Sequence, residues 1–234
     1  LFTLSFVGYG FALLIMRTAP AAPDRHLQLN PLPELLSCFR SVFSGGGLGL
    51  AGLGVAYFWS LAGLIPLVLI FYGDEVLGLQ ERDTAFLMGG LGIGIGFGSL
   101  FAGLVSRNKP ELGLVPIGSF GMGTLLLVMA SVDESFGAAL LSLCLLGLLG
   151  GFFIVPLNVF VQQEARPEEK GRIIAGVNFL SFVGMLLTLG LLWLLMVPWG
   201  LGPLTVFVVF GVLTMVATIF VFFSVPKAFF RFLF

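Results

Sequence analysis

Met88-Gly89-Gly90-Leu91-Gly92-Ile93-Gly94-Ile95-Gly96-Phe97-Gly98 admits two readings, and the choice between them decides the fold. As a glycine loop it would cradle a nucleotide phosphate, but that needs a preceding strand and a βαβ setting, and the flanking sequence offers neither. As a helix it places Gly90, Gly94 and Gly98 on one stripe of small residues, with Gly92 and Gly96 on roughly the opposite face. Small residues spaced by four let helix backbones approach closely in lipid. Two roles stay open for Gly90, Gly94 and Gly98: close packing alone, or packing combined with sliding during a conformational change.

The helical reading agrees with what surrounds it. Six apolar runs, at about 47–72, 84–106, 113–131, 137–160, 173–197 and 203–224, each approach or exceed the length needed to cross a bilayer. A helix rising about 1.5 Å per residue needs roughly twenty residues to cross a core about 30 Å thick. In lipid every backbone N–H and C=O needs an internal partner, and runs without period-two alternation satisfy that as helices. A seventh apolar run, 1–16, lacks an initiating Met and is short, so it is expected to be the end of a truncated span and the sequence a fragment. With 58% hydrophobic and 10% charged residues and a mean hydropathy of +1.11, the chain has more apolar surface than a water-soluble core can hide.

The charges fall between the runs. Arg17, Arg25 and Arg40, then Arg107 and Lys109, then Arg166, Lys170 and Arg172, then Lys227 and Arg231 occupy alternate gaps. The other gaps hold one basic residue, Arg82, beside Asp74, Glu75, Glu81, Asp83, Asp133 and Glu134. By the positive-inside rule, loops 17–46, 107–112 and 161–172 and the tail 225–234 are expected in the cytoplasm. Residues 17–46, with Pro20, Pro23, Pro31 and Pro33, read as a cytoplasmic central linker ending in a short amphipathic helix over Leu35–Phe43.

A shift of 90 residues lays the first three complete spans on the last three, bringing Pro66-Leu67 onto Pro156-Leu157, Gly94 onto Gly184 and Gly121 onto Gly211. Because three is odd, the second triplet runs through the membrane in the opposite sense. That is the inverted repeat that builds secondary transporters, and it predicts alternating access.

His26 is the only histidine, and Cys38 and Cys144 lie far apart in sequence, so zinc chemistry, a Ser/His/Asp triad and a disulfide framework lack their parts. No cofactor, metal or nucleic-acid partner is expected. No ionisable residue falls inside a span, so this chain shows no proton relay at membrane depth. Tyr57, Trp59, Asn158 and Asn178 are the polar candidates for contact with a substrate headgroup, although an amide at depth also serves simply to bond a neighbouring helix. In the densest charge cluster, Glu164 or Glu169 could pair with Arg172 or Arg107 as the basic side closes, or the cluster could be a solvated loop. Such pairs are individually worth about 0–1 kcal/mol when exposed.

Gly151-Phe152-Phe153-Ile154-Val155-Pro156-Leu157-Asn158, followed by Arg166-Pro167-Glu168-Glu169-Lys170-Gly171-Arg172-Ile173-Ile174-Ala175 and Asn178-Phe179-Leu180, resembles the lysophospholipid transporter branch of the major facilitator superfamily. Tyr72 through Gly98 is similar to that branch's seventh loop and eighth helix. The resemblance covers essentially the whole chain. It implies an all-α polytopic membrane fold: the end of helix six, the central loop, then a carboxy-terminal six-helix bundle of helices seven to twelve. Helices seven, eight, ten and eleven would line the central cavity, with nine and twelve facing lipid. The loop Gly98–Lys109 is similar to the superfamily's glycine-and-basic signature, with Arg107 and Lys109 as its basic members; the acidic residue expected four positions after Gly98 is Ala102 here.

The resemblance further implies inward movement of lysophospholipids, such as the ethanolamine and glycerol types, across a bacterial inner membrane, with the missing amino-terminal half as partner. The tail Val225–Phe234 is similar to the junction where fused members continue into a phospholipid acyltransferase, sometimes followed by an acyl carrier protein synthetase. Two rivals remain at this point. A proton-coupled exporter of drugs or metabolites would need a buried carboxylate in the missing half, and a passive membrane anchor for a fused acyltransferase would show no transport.

Overall fold

The computed structural model describes residues 2–14, 31–43, 47–106, 111–131, 135–166 and 169–224. It divides into two compact units, residues 1–33 and 34–234. The first holds α1 (Phe2–Leu13). The second holds most of α2 (Pro31–Phe43), then α3 (Leu48–Glu75), α4 (Glu81–Val105), α5 (Leu114–Met129), α6 (Phe136–Glu164), α7 (Lys170–Met196) and α8 (Pro203–Ser224). Among the described residues all regular structure is helical, and α3, α4, α6, α7 and α8 are long and apolar enough to cross a membrane.

Helix ends depart from the apolar runs in both directions. α6 continues past Phe160 through Gln162-Gln163-Glu164, and α7 starts at Lys170, so the charged gap between them shrinks to residues 165–169. Helix formation does not require apolar residues, and α6 runs on to Glu164, ending where Ala165 takes an extended conformation. α5 is shorter than its run, 16 residues or about 24 Å. Its last turn unwinds at Ser131, whose hydroxyl donates to the Val128 carbonyl at 2.9 Å. On the far side from Lys170, α3 and α7 close in the same way. Gly78 and Gly200 take positive φ, +60° and +61°, and the next amides bond back, Leu79 N–H to Gly73 O and Leu201 N–H to Leu195 O.

Contacts fix the directions. α3 and α7 run parallel, with Gly52 at Val177 and Gly63 at Met185; α4 and α6 run parallel, with Gly90 at Cys144 and Gly98 at Leu148. α5 and α8 are antiparallel, with Ser119 at Thr218 and Gly123 at Met215. α3, α5 and α7 therefore start, and α4, α6 and α8 finish, at the end of the bundle that carries Lys170 and Arg172, called here the basic end. The strongest pairings are α4 with α6 and α3 with α7. Each joins the first helix of one triplet to the second helix of the other, which is the exchange symmetry of an inverted repeat. Pro66 and Pro156 lie inside the matching helices α3 and α6.

The glycine stripe is a backbone contact. A Cβ at Gly94 would collide with the Cys144 carbonyl and one at Gly98 with the Leu148 carbonyl, while one at Gly90 would meet Leu140 Cδ1 at 2.5 Å. Gly147 and Gly151 answer from α6, against the Leu91 carbonyl and the Ser99 amide. On the opposite face, a Cβ on Gly92 or Gly96 would meet nothing within 4 Å among the described residues. Ala102 is fully buried, so the position where the superfamily signature carries an acid has no access to water.

Candidate functional site

Two hydroxyl pairs cross the bundle interior. Tyr57 Oη lies 2.5 Å from Thr214 Oγ1, joining α3 to α8, and Ser119 Oγ lies 2.5 Å from Thr218 Oγ1, joining α5 to α8. Thr214 donates its proton to the Phe210 carbonyl at 2.6 Å and Thr218 donates to the Thr214 carbonyl at 2.7 Å. Each hydroxyl has one proton. Tyr57 therefore donates to Thr214 and Ser119 donates to Thr218, and every proton in the two chains is assigned. The sequence offered no sign of Ser119, Thr214 or Thr218: a lone hydroxyl in an apolar run ordinarily bonds its own helix, and these partners stand 99 and 157 residues apart.

The four headgroup candidates are not gathered into one cluster. Tyr57 points inward onto Thr214, whereas Trp59, two residues along α3, is 45% exposed and touches Phe58 edge to face. Asn158 is half-buried on α6 and Asn178 is exposed on α7. Glu164 is exposed at the end of α6. Arg172, in the first turn of α7, has Glu34 of α2 at 3.8 Å and Glu169 at 4.0 Å. These are charge neighbours beyond hydrogen-bond distance, and Arg172 Nε has no hydrogen-bond partner. Arg107 and Lys109 lie outside the described residues.

Glu34 belongs to a docked helix. α2 lays Val42, 1% exposed, in a notch between Gly52 of α3 and Gly176 of α7; Phe39 meets Phe179 edge to face at 5.5 Å. A larger residue at Gly176 would push α2 off, since a Cβ there would stand 3.0 Å from the Cys38 carbonyl oxygen.

A partly open cavity of about 170 Å³ lies toward the basic end, bounded by α3, α5, α6 and α8. Leu50, Val115, Phe153, Leu157, Phe160 and Val221 supply most of its wall, with Ser119 and Thr218 as its hydroxyls. Among the described residues no group of three or more His, Cys, Asp or Glu could hold a metal ion, and no Asp, Glu, Lys or Arg is buried.

An all-helical bundle with an apolar middle, two hydroxyl pairs joining its helices and charges confined to helix ends is a multi-pass membrane protein. Residues 1–189 match the family model of the Major Facilitator Superfamily, and the chain belongs to that family. It is 30% identical over 214 residues to the lysophospholipid transporter LplT of Klebsiella pneumoniae, a match covering 88% of this chain and 52% of that protein. LplT of Pectobacterium carotovorum is 31% identical over 194 residues, covering 79% and 47%. LplT of Photorhabdus laumondii is 28% identical over 216 residues, covering 88% and 52%. The chain thus spans about half the length of the curated relatives it matches. No solved structure matches it.

Proposed function

We propose that this chain is the carboxy-terminal half of a transporter that moves lysophospholipid, such as lysophosphatidylethanolamine, inward across the bacterial inner membrane by alternating access. The observation that carries the reading is the similarity to LplT proteins along 88% of the chain. The absence of charged side chains from the described bundle interior supports it. A zwitterionic headgroup needs no net opposite charge, and a charge at the bilayer centre would cost about 2.5–3.5 kcal/mol on insertion scales.

In this reading the basic end, with loops 107–112 and 161–172, faces the cytoplasm and residues 74–83 face the periplasm. Asn158 and Asn178 hydrogen-bond the headgroup, assisted by Trp59 and by the free lone pair of Tyr57 Oη. The stripe Gly90, Gly94 and Gly98 is a rigid seam along which the half moves as one body. Arg172 exchanges carboxylate partners between conformations, with Glu34, Glu169 and Glu164 in reach of the same end.

The test is uptake of labelled lysophosphatidylethanolamine into spheroplasts lacking their own transporter. The full-length wild type is compared with Asn158→Leu and Asn178→Leu at matched expression. Uptake by the wild type and loss in the variants is the expected result. No uptake by a correctly inserted wild type sinks the substrate, whereas normal uptake by both variants removes only the headgroup site.

A further inference from the structure

The wall of the cavity bounded by α3, α5, α6 and α8 contains none of Tyr57, Trp59, Asn158 and Asn178, and nothing in the headgroup argument uses it. Water is a poor occupant. A buried water needs two to four polar partners, and with the protons of Ser119 and Thr218 already given to Thr218 Oγ1 and the Thr214 carbonyl, the two wall hydroxyls offer it lone pairs and no donor in a wall that is otherwise apolar. Hydrocarbon is a good one. At about 170 Å³ the space exceeds a single side-chain defect and matches the apolar cavities of about 150 Å³ that stay dry and admit benzene.

The room is written into α3. Gly47, Ala51 and Gly54 put almost no side chain on that wall, and Phe160 and Leu157 close it, 3.1 Å and 2.9 Å from where a Cβ on Gly47 and on Gly54 would stand. The cavity also lies toward the end where Arg166 and Lys170 are exposed alongside the carboxylates of Glu111, Glu164 and Glu169. Hydrocarbon inside and charges of both signs beyond it suit an amphiphile with one chain and a zwitterionic headgroup.

We infer that this cavity is a tail pocket, holding the end of the single acyl chain of a lysophospholipid within the carboxy-terminal bundle rather than between the two halves. The identity of the lipid rests on the proposed function; the preference for one hydrocarbon chain rests on the cavity. The headgroup then lies toward the basic end, and the pocket measures chain length: a short acyl chain leaves it empty, and a long one fills it.

Two variants of the full-length protein test this. Ala51→Leu fills the pocket and Leu157→Ala enlarges it. Uptake of hexanoyl and palmitoyl lysophosphatidylethanolamine is measured in spheroplasts at matched expression, and a palmitoyl analogue with a diazirine at the chain terminus is crosslinked and its adducts mapped. The expected result is that Ala51→Leu loses palmitoyl uptake about tenfold relative to hexanoyl uptake, as an altered apolar pocket does, that Leu157→Ala does not, and that wild-type adducts fall on Phe153, Leu157 or Phe160. A loss equal for both chains, with adducts only on residues outside the pocket wall, overturns the pocket while leaving lysophospholipid uptake standing. Adducts in the pocket from a diazirine-bearing stearate, with no lysophospholipid imported by the wild type, support a hydrocarbon pocket and overturn the substrate instead.

Discussion

Two helix pairs related by the repeat, α4 with α6 and α3 with α7, solve the same packing problem by different chemistry. In the first, glycines of both helices bring backbone onto backbone, and the atoms opposing Gly94, Gly98, Gly147 and Gly151 are main-chain atoms that cannot rotate away. In the second, side chains fill the gap: Met185 stands over Gly63, Val177 over Gly52, and the Ser60 hydroxyl over Gly184. Without a hydrophobic force between helices in lipid, close approach and packing must supply the attraction. A backbone seam tolerates one arrangement, whereas a side-chain seam can repack through its rotamers. The difference teaches where the half is rigid and where it can yield, although three-helix units of the same topology built both.

The largest expected effect breaks or upholds that contrast directly. Gly94→Ala forces α4 away from the Cys144 carbonyl and is expected to destabilise the protein in detergent by about 1–3 kcal/mol, and Gly94→Ala with Gly98→Ala by more. At the matched position, Gly184→Ala meets the Ser60 hydroxyl 2.6 Å away, a side-chain atom that can rotate, at the cost of its bond to the Ala56 carbonyl. Together with the higher helix propensity of alanine, this leaves its effect within about 1 kcal/mol of zero. Equal losses of melting temperature for the two single variants would end the distinction.

The second concerns an asymmetry outside the seams, since α3 and α7 are also braced by α2. Val42→Ala empties the notch at Gly52 and Gly176 and is expected to cost about 1–2 kcal/mol. Trypsin cleavage at Arg40 should quicken, with the α4 and α6 seam unaffected; an unchanged cleavage rate would mean that α2 is not held there.

Next in size is the tie from α3 to α8. Tyr57→Phe is expected to cost about 0.6 kcal/mol, the average for hydrogen bonds between membrane helices. Because Thr214 keeps its own bond to the Phe210 carbonyl, Tyr57→Phe in a Thr214→Val background should cost almost nothing. Additive losses in that double-mutant cycle would show that the two hydroxyls are not coupled. Smallest is Glu34→Gln, beside an Arg172 whose side chain is one-third exposed: about 0–1 kcal/mol, shrinking as salt rises. A large, salt-independent loss would make that pair a structural anchor.

The seam was legible in the sequence because glycines four apart leave one trace only on a helix, and the repeat was legible because Pro66 and Pro156 mark matching helices. The hydroxyl chains were not. Ser119, Thr214 and Thr218 acquire meaning from pairing across helices, which spacing along one helix cannot reveal. Glu34 was hidden in what read as a linker, yet it stands at Arg172 because α2 docks through Val42. The charged gap 161–172 looked like loop because hydropathy reports lipid preference, whereas Gln162–Glu164 and Lys170–Arg172 are helical and lie at helix ends, where charge is tolerated.

α5 carries a consequence for the surrounding lipid. At about 24 Å it is about 6 Å shorter than the hydrocarbon thickness, and it turns Ile117, Phe120 and Val128 outward. A bilayer beside so short a face thins to match it, drawing the headgroups of the two leaflets toward each other. Annular lipids along α5 therefore rest in a dimple, where the apolar distance separating the leaflets is at its least.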